Sequence, residues 1–181
     1  MIMKFVVDKT KDPNLYKNDL ISRKELALEI FNVLKQHYEN EKQLNEKYPH
    51  IQEHLVAVRN SSIQVIYFST GTVIQEYHYF EKDIKSLLPG DLINLEKPIL
   101  KNCKYKVNNL ANRLYYYFKN VLNIDIIPED VWNYLFTTNE RINCNKHRTG
   151  ALFAERDMHD WFNNLTIFWN CVIDYVSTDT P

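Results

Sequence analysis

Residues 61–84 read SSIQVIYFSTGTVIQEYHYFEKDI, and this stretch decides the fold class. Within it and just beyond it, small and apolar residues recur at spacings of three and four, as they do on one face of an α-helix. A second apolar face flanks this stripe, which is typical of a helix at the centre of a bundle. The pattern predicts one long helix from about His50 to Leu88. The stripe consists of Ser62, Ile66, Ser69, Val73, Tyr77, Phe80, Ile84 and Leu87.

The same region permits a second interpretation as a short hairpin near residues 61–75, which would make the fold α+β. β-Branched and aromatic residues stand on both sides of Ser69-Thr70-Gly71, as in two strands joined by a turn. We favour the helix because the stripe continues past both ends of such a hairpin.

The helix that precedes this one is predicted to begin at Ser22, after a leading segment of residues 1–21. Ser22 and Glu25 have the spacing of a capping box, in which two side chains satisfy free amide groups at a helix start. Pro49 ends the helix, because proline has no amide hydrogen to donate. The apolar residues at helical spacing are Leu26, Ile30, Val33, Leu34, Tyr38 and Leu44.

Prolines mark the starts of the next two predicted helices, since proline is favoured in a first helical turn. Pro98 opens a third helix that ends near Asn123, and Pro128 opens a fourth. Thr149-Gly150 separates the fourth from a fifth, which starts near Glu155. The sequence therefore predicts an all-α fold with about five helices.

The length of 181 residues suits one domain, so we expect a single helical bundle over residues 1–181, with the helices in 22–177. The chain has three glycines, and no two lie within one motif of each other, which excludes a glycine-rich phosphate loop. Lys and Arg total 22 against 23 Asp and Glu, so the chain is not a globally basic nucleic-acid binder.

The cysteine count and the hydropathy pattern bear on the cellular compartment. Three cysteines are an odd number, which favours free thiols in a reducing cytosol. No signal peptide is visible, and no apolar run approaches the roughly 20 residues of a membrane span. We expect a cytoplasmic protein without a membrane partner.

Residues 139–148 read NERINCNKHR and concentrate polar side chains between two apolar helices. The guanidinium of Arg141 offers a fork of donors for a phosphate, and the imidazole of His147 titrates near neutrality and transfers protons. Together they suffice for cleavage of RNA without a metal, with the ribose 2′-hydroxyl as nucleophile. Asn143 and Asn145 would add hydrogen bonds to phosphate or ribose, and Arg148 a further cation.

Arg141, five intervening residues and His147 resemble the Arg-x(4–6)-His motif of the HEPN superfamily, helical bundles of prokaryotic defence and toxin–antitoxin systems. The motif there lies near the end of the penultimate core helix, which matches its position here. The resemblance implies a metal-independent endoribonuclease without a cofactor, with Arg141 and His147 as catalytic residues. It also implies a homodimer whose two motifs face one cleft, an RNA substrate, and an antitoxin or defence partner.

The spacing of the motif departs from a simple one-face arrangement. Six residues place His147 about 240° further round an ideal helix from Arg141. The two converge only if the helix ends or distorts before His147, or if a second subunit supplies one of the groups.

Other interpretations compete with the catalytic one. Arg141 and Arg148 near a helix end also favour the helix dipole without any further role. Arg59 would add a phosphate contact if it faces the same cleft, although an exposed helix position is commoner. A zinc site at Cys144 and His147 is not expected, because no Cys-x-x-Cys pair exists.

Two further functions remain open at this point. One is a non-catalytic helical dimerisation or interaction module, which needs no catalytic residues. The other is a bundle that binds a small ligand or nucleotide between the second and fourth helices, with Arg59 and Arg141.

Overall fold

The structure, a computed structural model, describes residues 12–87, 110–121, 125–147 and 152–178; the side chains of residues 87, 110, 121, 145–147 and 178 lie outside this description. These ranges form five helices and contain no strand, so the prediction of an all-α fold of about five helices is confirmed. The helices are α1 Pro13–Lys47, α2 Gln52–Leu87, α3 Leu110–Tyr116, α4 Glu129–His147 and α5 Glu155–Thr178.

Helix α1 begins nine residues earlier than predicted, so the assignment of residues 1–21 to a leading segment is wrong over its second half. Asp12 is the N-cap, and its carboxylate accepts a hydrogen bond of 2.9 Å from the Asn14 amide. Pro13 occupies the first helical position, where its missing amide hydrogen costs nothing. Ser22 lies inside the helix and donates to the Asn18 carbonyl, so it does not cap a helix start.

Helix α2 runs unbroken through Gly71, which overturns the hairpin alternative for residues 61–75. Its buried face is the predicted stripe, with Val73, Tyr77 and Phe80 almost fully buried. Ser69 and Thr70 are buried on this helix as well. Through this stripe α2 packs on α1 and α5, whereas in the second apolar flank Val65, Phe68 and Ile74 are half-buried and Ile63 is exposed.

Helix α5 packs its large aromatic side chains against α2. The ring of Tyr77 lies 5.7 Å from that of Trp161, and Phe80 meets Phe168 edge-on at 5.1 Å. The buried residues of α5 are Met158, Trp161, Phe162, Leu165, Phe168, Trp169 and Val172.

Helix α3 continues into a π-helical turn, Tyr117–Val121, and packs on α4 through Tyr115, whose ring meets Trp132 edge-on at 5.5 Å. The predicted start of this third helix at Pro98 lies outside the described residues.

The apolar stripe predicted on the first helix lies mostly on the surface. Leu26 is 58% exposed, whereas the next residue, Ala27, is buried against α2 and α5. Val33 is 66% exposed, whereas Phe31, two residues earlier, is buried in the same way. Helical spacing identifies the helix correctly but does not identify which of its apolar faces enters the core.

Two contacts fix how the long helices are aligned. The Lys35 ammonium lies 3.0 Å from the carboxylate of Glu155, so the start of α5 is level with Lys35 on α1. The Phe153 amide donates to the Thr70 hydroxyl at 3.0 Å, so the start of α5 lies near Thr70 on α2. Residues 36–47 of α1 and 52–69 of α2 therefore extend past the start of α5, by about 18 Å and 27 Å at the rise of an α-helix. We call this two-helix extension the arm.

Candidate functional site

Arg141 lies near the end of α4 and binds the segment that leads into α5. Its Nη1 donates to Oδ1 of Asp157 at 2.6 Å, and its Nη2 donates to Oδ2 of Asp157 at 3.1 Å. A second Nη2 hydrogen bond reaches the Leu152 carbonyl at 2.8 Å. The guanidinium also lies over the Phe153 ring, 4.1 Å from its centre. We call Arg141 and residues 152–157 the α4–α5 corner.

Asp157 stands in the first turn of α5 and binds two partners. Besides Arg141, it accepts a hydrogen bond of 2.7 Å from the Ala154 amide, which would otherwise be free at the helix start. The Arg141 hydrogen bonds hold the pKa of the Asp157 carboxyl below its usual range, and the same bonds raise the pKa of Arg141. Both groups are therefore charged at neutral pH.

Side chains from two other helices support the corner. Thr70 of α2 accepts the Phe153 amide, and Tyr134 of α4 donates its hydroxyl to the Asp157 carbonyl at 2.9 Å. Burial raises the pKa of Tyr134, so it remains a neutral donor. The corner is consequently held by α2, α4 and α5 together, and Arg141 has a fixed direction at the protein surface.

His147 is the last residue of α4, and the helix neither ends nor distorts before it. Its position is therefore about 240° round from Arg141, or 120° in the opposite direction, and about 9 Å further along the axis. Within one chain, the two positions lie on different faces of α4. An early end or distortion of α4 before His147, which is one of the two ways for Arg141 and His147 to converge, is therefore absent.

The proposed supporting residues divide between these two faces. Asn145 lies about 40° from Arg141 and shares its face, whereas Asn143 lies about 200° away and shares the face of His147. Asn143 is exposed. Arg148 lies outside the described residues, as do the side chains of Asn145 and His147.

Arg59 is exposed on the arm, far from the corner. It precedes Thr70 by 11 residues on α2, which corresponds to about 16 Å along the helix axis on nearly the same face. In the described residues, Arg59 is not among the hydrogen-bond or ring partners of Arg141, which lie in residues 152–157.

Sequence reasoning missed Asp157, Leu152 and Phe153, the residues that Arg141 contacts. A signal for Asp157 existed, because an acidic residue in a first helical turn commonly returns to the amide at the helix start. No comparable signal marks Leu152 and Phe153, whose contacts arise only when α4 and α5 pack antiparallel.

Two shallow grooves occur elsewhere on the described surface, and neither includes Arg141 or Asp157. Each follows one helix, with volumes of about 510 Å³ on α1 and about 420 Å³ on α2. The first is lined by Glu29, Asn32, Val33, Gln36, His37 and Asn40, and the second by Gln52, Glu53, Val56, Ala57 and Asn60.

No group of three or more His, Cys, Asp or Glu that could hold a metal ion occurs among the residues that the structure describes. None of the helices described combines the length and apolar character that a membrane crossing requires.

Comparison with known proteins adds no relative to this picture. No model of a protein family, no curated protein and no solved structure matches the chain. The function therefore has to be inferred from the corner and the faces of α4.

Proposed function

We propose that this chain is a HEPN-like, metal-independent endoribonuclease of a toxin–antitoxin or phage-defence system, active in the cytoplasm as a homodimer. One observation carries the proposal. Arg141 is held in a fixed direction at the surface of an all-α bundle, on the helix whose last residue is His147. An arginine so placed is suited to bind a phosphodiester, and a histidine on the same helix is suited to proton transfer.

The chemistry needs only these two side chains and the RNA itself. His147 takes the proton of a ribose 2′-hydroxyl, whose oxygen attacks the adjacent phosphorus. The bond from phosphorus to the 5′-oxygen breaks, and a protonated histidine returns a proton to that oxygen. Arg141 stabilises the charge on the phosphorane. The products are a 2′,3′-cyclic phosphate and a 5′-hydroxyl.

The positions on α4 favour a site shared by two copies. Arg141 and His147 lie about 120° apart on a continuous helix, so they do not face one phosphate within a chain. In a two-fold dimer, Arg141 of one copy and His147 of the other would approach each other across the axis. Asn143 would accompany His147, and Asn145 would accompany Arg141.

Substitution of the two residues tests the proposal. We expect His147→Ala and Arg141→Lys each to lower RNA cleavage by at least about 100-fold, since lysine cannot reproduce the bidentate arginine contact. Arg156→Ala is the matched control, because Arg156 is an exposed arginine at the start of α5. Cleavage is followed by gel with end-labelled RNA, and folding by circular dichroism. Wild-type cleavage that survives both substitutions contradicts the assignment.

Mixing the two inactive variants tests whether the site is shared. Equal amounts of His147→Ala and Arg141→Lys chains, unfolded and refolded together, would regain about a quarter of wild-type activity, because half the dimers carry one intact site of two. A site contained within one chain would regain none.

A non-catalytic interaction module is the second candidate function, and one observation favours it. Helix α1 exposes the apolar side chains of Leu26, Ile30 and Val33 at spacings of four and three. Such a stripe is the usual face by which a helix docks on another helix.

A further inference from the structure

Most of the hydrogen-bond donors of Arg141 already have partners, so few remain to bind another acceptor. An arginine has five N–H groups, arranged on edges of a rigid plane. Asp157 takes the edge formed by Nη1 and Nη2, and the Leu152 carbonyl takes the other Nη2 hydrogen. One Nη1 hydrogen and the Nε hydrogen remain without a partner in the described residues.

The two remaining hydrogens lie in the guanidinium plane but on different edges and point away from each other. One phosphate therefore cannot bind both. The Nε edge is shared with the Nη2 hydrogen that Leu152 already holds, and the Nη1 hydrogen points back toward the side-chain stem. While Arg141 remains paired with Asp157, a phosphodiester can therefore accept only a single hydrogen bond, either from Nε or from the free Nη1 hydrogen. Bidentate binding, the strong mode for arginine and phosphate, needs an edge that is now occupied.

We infer that Asp157 controls the access of RNA to Arg141: a phosphodiester takes the Nη1/Nη2 edge only when the Asp157 carboxylate has left it. This inference rests on the proposed function. It makes Asp157 a positioning residue, since it acts through Arg141 and not on RNA directly. A carboxylate and a phosphodiester are both bidentate anionic acceptors, so they compete for one edge.

The surroundings of the pair allow this exchange. The side chains of Arg141 and Asp157 are 34% and 26% exposed, so solvent and a bound strand reach them. The Ala154 amide retains Asp157 by a hydrogen bond that does not involve Arg141. The carboxylate therefore keeps a partner when it gives up the guanidinium edge to a phosphate.

Replacement of Asp157 by its neutral isostere separates competition from structural support. In Asp157→Asn the side-chain oxygen still accepts the Ala154 amide, but the charge that holds Arg141 is removed. Asp160→Asn is the matched control, because it makes the same charge change one turn further along α5, where Asp160 pairs with the exposed Arg156. Asp157→Ser, which also keeps an acceptor at this position, is used as well in case the amide variant folds poorly.

The probe is a fluorescein-labelled single-stranded RNA of mixed sequence with 2′-O-methyl riboses, which the full chain cannot cleave. Its dissociation constant is measured by fluorescence anisotropy across a series of salt concentrations. We expect Asp157→Asn to bind about fivefold more tightly than wild type and Asp160→Asn to bind as wild type does. The salt dependence should also steepen by about 0.7 in the logarithmic slope, as one more cation meets a phosphate. Both changes should vanish in Asp157→Asn combined with Arg141→Ala.

The outcomes separate this inference from the proposed function. Unchanged or weaker RNA binding by both Asp157 variants overturns the inference, even if wild type cleaves RNA through Arg141. Tighter binding that depends on Arg141 supports it, even if cleavage of unmodified RNA is absent and the nuclease proposal fails.

Discussion

Arg141 contacts three residues of the segment that follows α4, and these contacts act on the fold before any substrate is present. The ion pair with Asp157 is joined by the Leu152 carbonyl and the Phe153 ring. An ion pair this exposed stabilises a protein by about 1 kcal/mol or less. The corner combines the pair with a helix cap, so its residues stabilise the start of α5 as a unit.

The lowered pKa of Asp157 predicts how this contribution depends on pH. Because the folded-state pKa lies below the unfolded value of about 3.9, the stabilisation is fully present above that value and is lost as the pH falls through the folded-state pKa. We expect the free energy of unfolding of wild type to fall more steeply below about pH 4 than that of Asp157→Asn. Urea titrations from pH 7 to pH 2 measure this. Parallel acid limbs for the two proteins would contradict it.

Helices α1 and α2 pair through a partly buried cluster in which one arginine meets several carboxylates. The Arg23 Nε donates to both carboxylate oxygens of Glu76 at 3.0 Å, and Arg23 also binds Asp19. Asp83 lies one heptad beyond Glu76, with 3.9 Å between its carboxylate and the Arg23 Nη2. Burial raises the pKa of Glu76 and of Asp83, and the nearby Arg23 opposes both shifts.

Asp83 is the carboxylate of this cluster that lies farthest from Arg23, so Arg23 offsets the cost of burying its charge least. Its removal should therefore not lower the free energy of unfolding at neutral pH. A raised carboxyl pKa costs stability above the folded-state value, and the cost disappears below the unfolded value of about 3.9. We expect Asp83→Asn to equal or exceed wild type by up to about 1 kcal/mol at pH 7, and the difference to shrink toward pH 4. Lys82 also faces Asp83, so the comparison is made at fixed salt.

Glu76→Gln serves as the contrasting variant for this measurement, because Glu76 makes both hydrogen bonds with Arg23. Its loss should destabilise the protein at pH 7. A destabilised Asp83→Asn at pH 7, with a gap from wild type that closes toward pH 4, would show that Asp83 is a supporting partner of Arg23.

At the scale of the whole molecule, α1 presents opposite faces to the core and to the outside. Phe31 is 1% exposed and Val33, two residues on, is 66% exposed. The bundle uses only part of α1, because α5 begins level with Lys35 and the rest of α1 lies on the arm with α2.

This asymmetry predicts the effects of two substitutions on α1. Val33→Glu should leave the free energy of unfolding within about 0.5 kcal/mol of wild type, whereas Phe31→Ala should cost about 3–5 kcal/mol by creating a cavity. If the stripe docks on another chain, as in the second candidate function, Val33→Glu also weakens that association. Urea titration and sedimentation velocity measure the two effects. Destabilisation by Val33→Glu comparable to that of Phe31→Ala would contradict the assignment of faces.

The sequence predicts the position of a helix where the signal, such as an apolar stripe or a proline at the helix start, lies within that helix. The stripe of α2, the proline at the start of α4 and the start of α5 near Glu155 are all visible in the sequence. The start of α1 was missed because Asp12-Pro13 signals a turn as well as a helix start, and only the helix beyond it decides between them.

The candidate site was predictable in part. Arg141 and His147 were identified by residue type and spacing, and both lie on one helix as expected. The pairing of Arg141 with Asp157 was not, because it joins residues 16 positions apart across two helices and depends on how α4 meets α5.

The sequence by itself determined that this chain forms long helices, where most of them begin and end, and which face of α2 and α5 is buried, since these depend on spacing and on amide groups within one segment. Only the tertiary structure decided which face of α1 enters the core, because its apolar residues occupy two faces and the choice is made by the neighbours. It also decided that Arg141 meets a carboxylate. An arginine binds whichever anion the packing brings to it, and here the antiparallel packing of α4 and α5 brings Asp157.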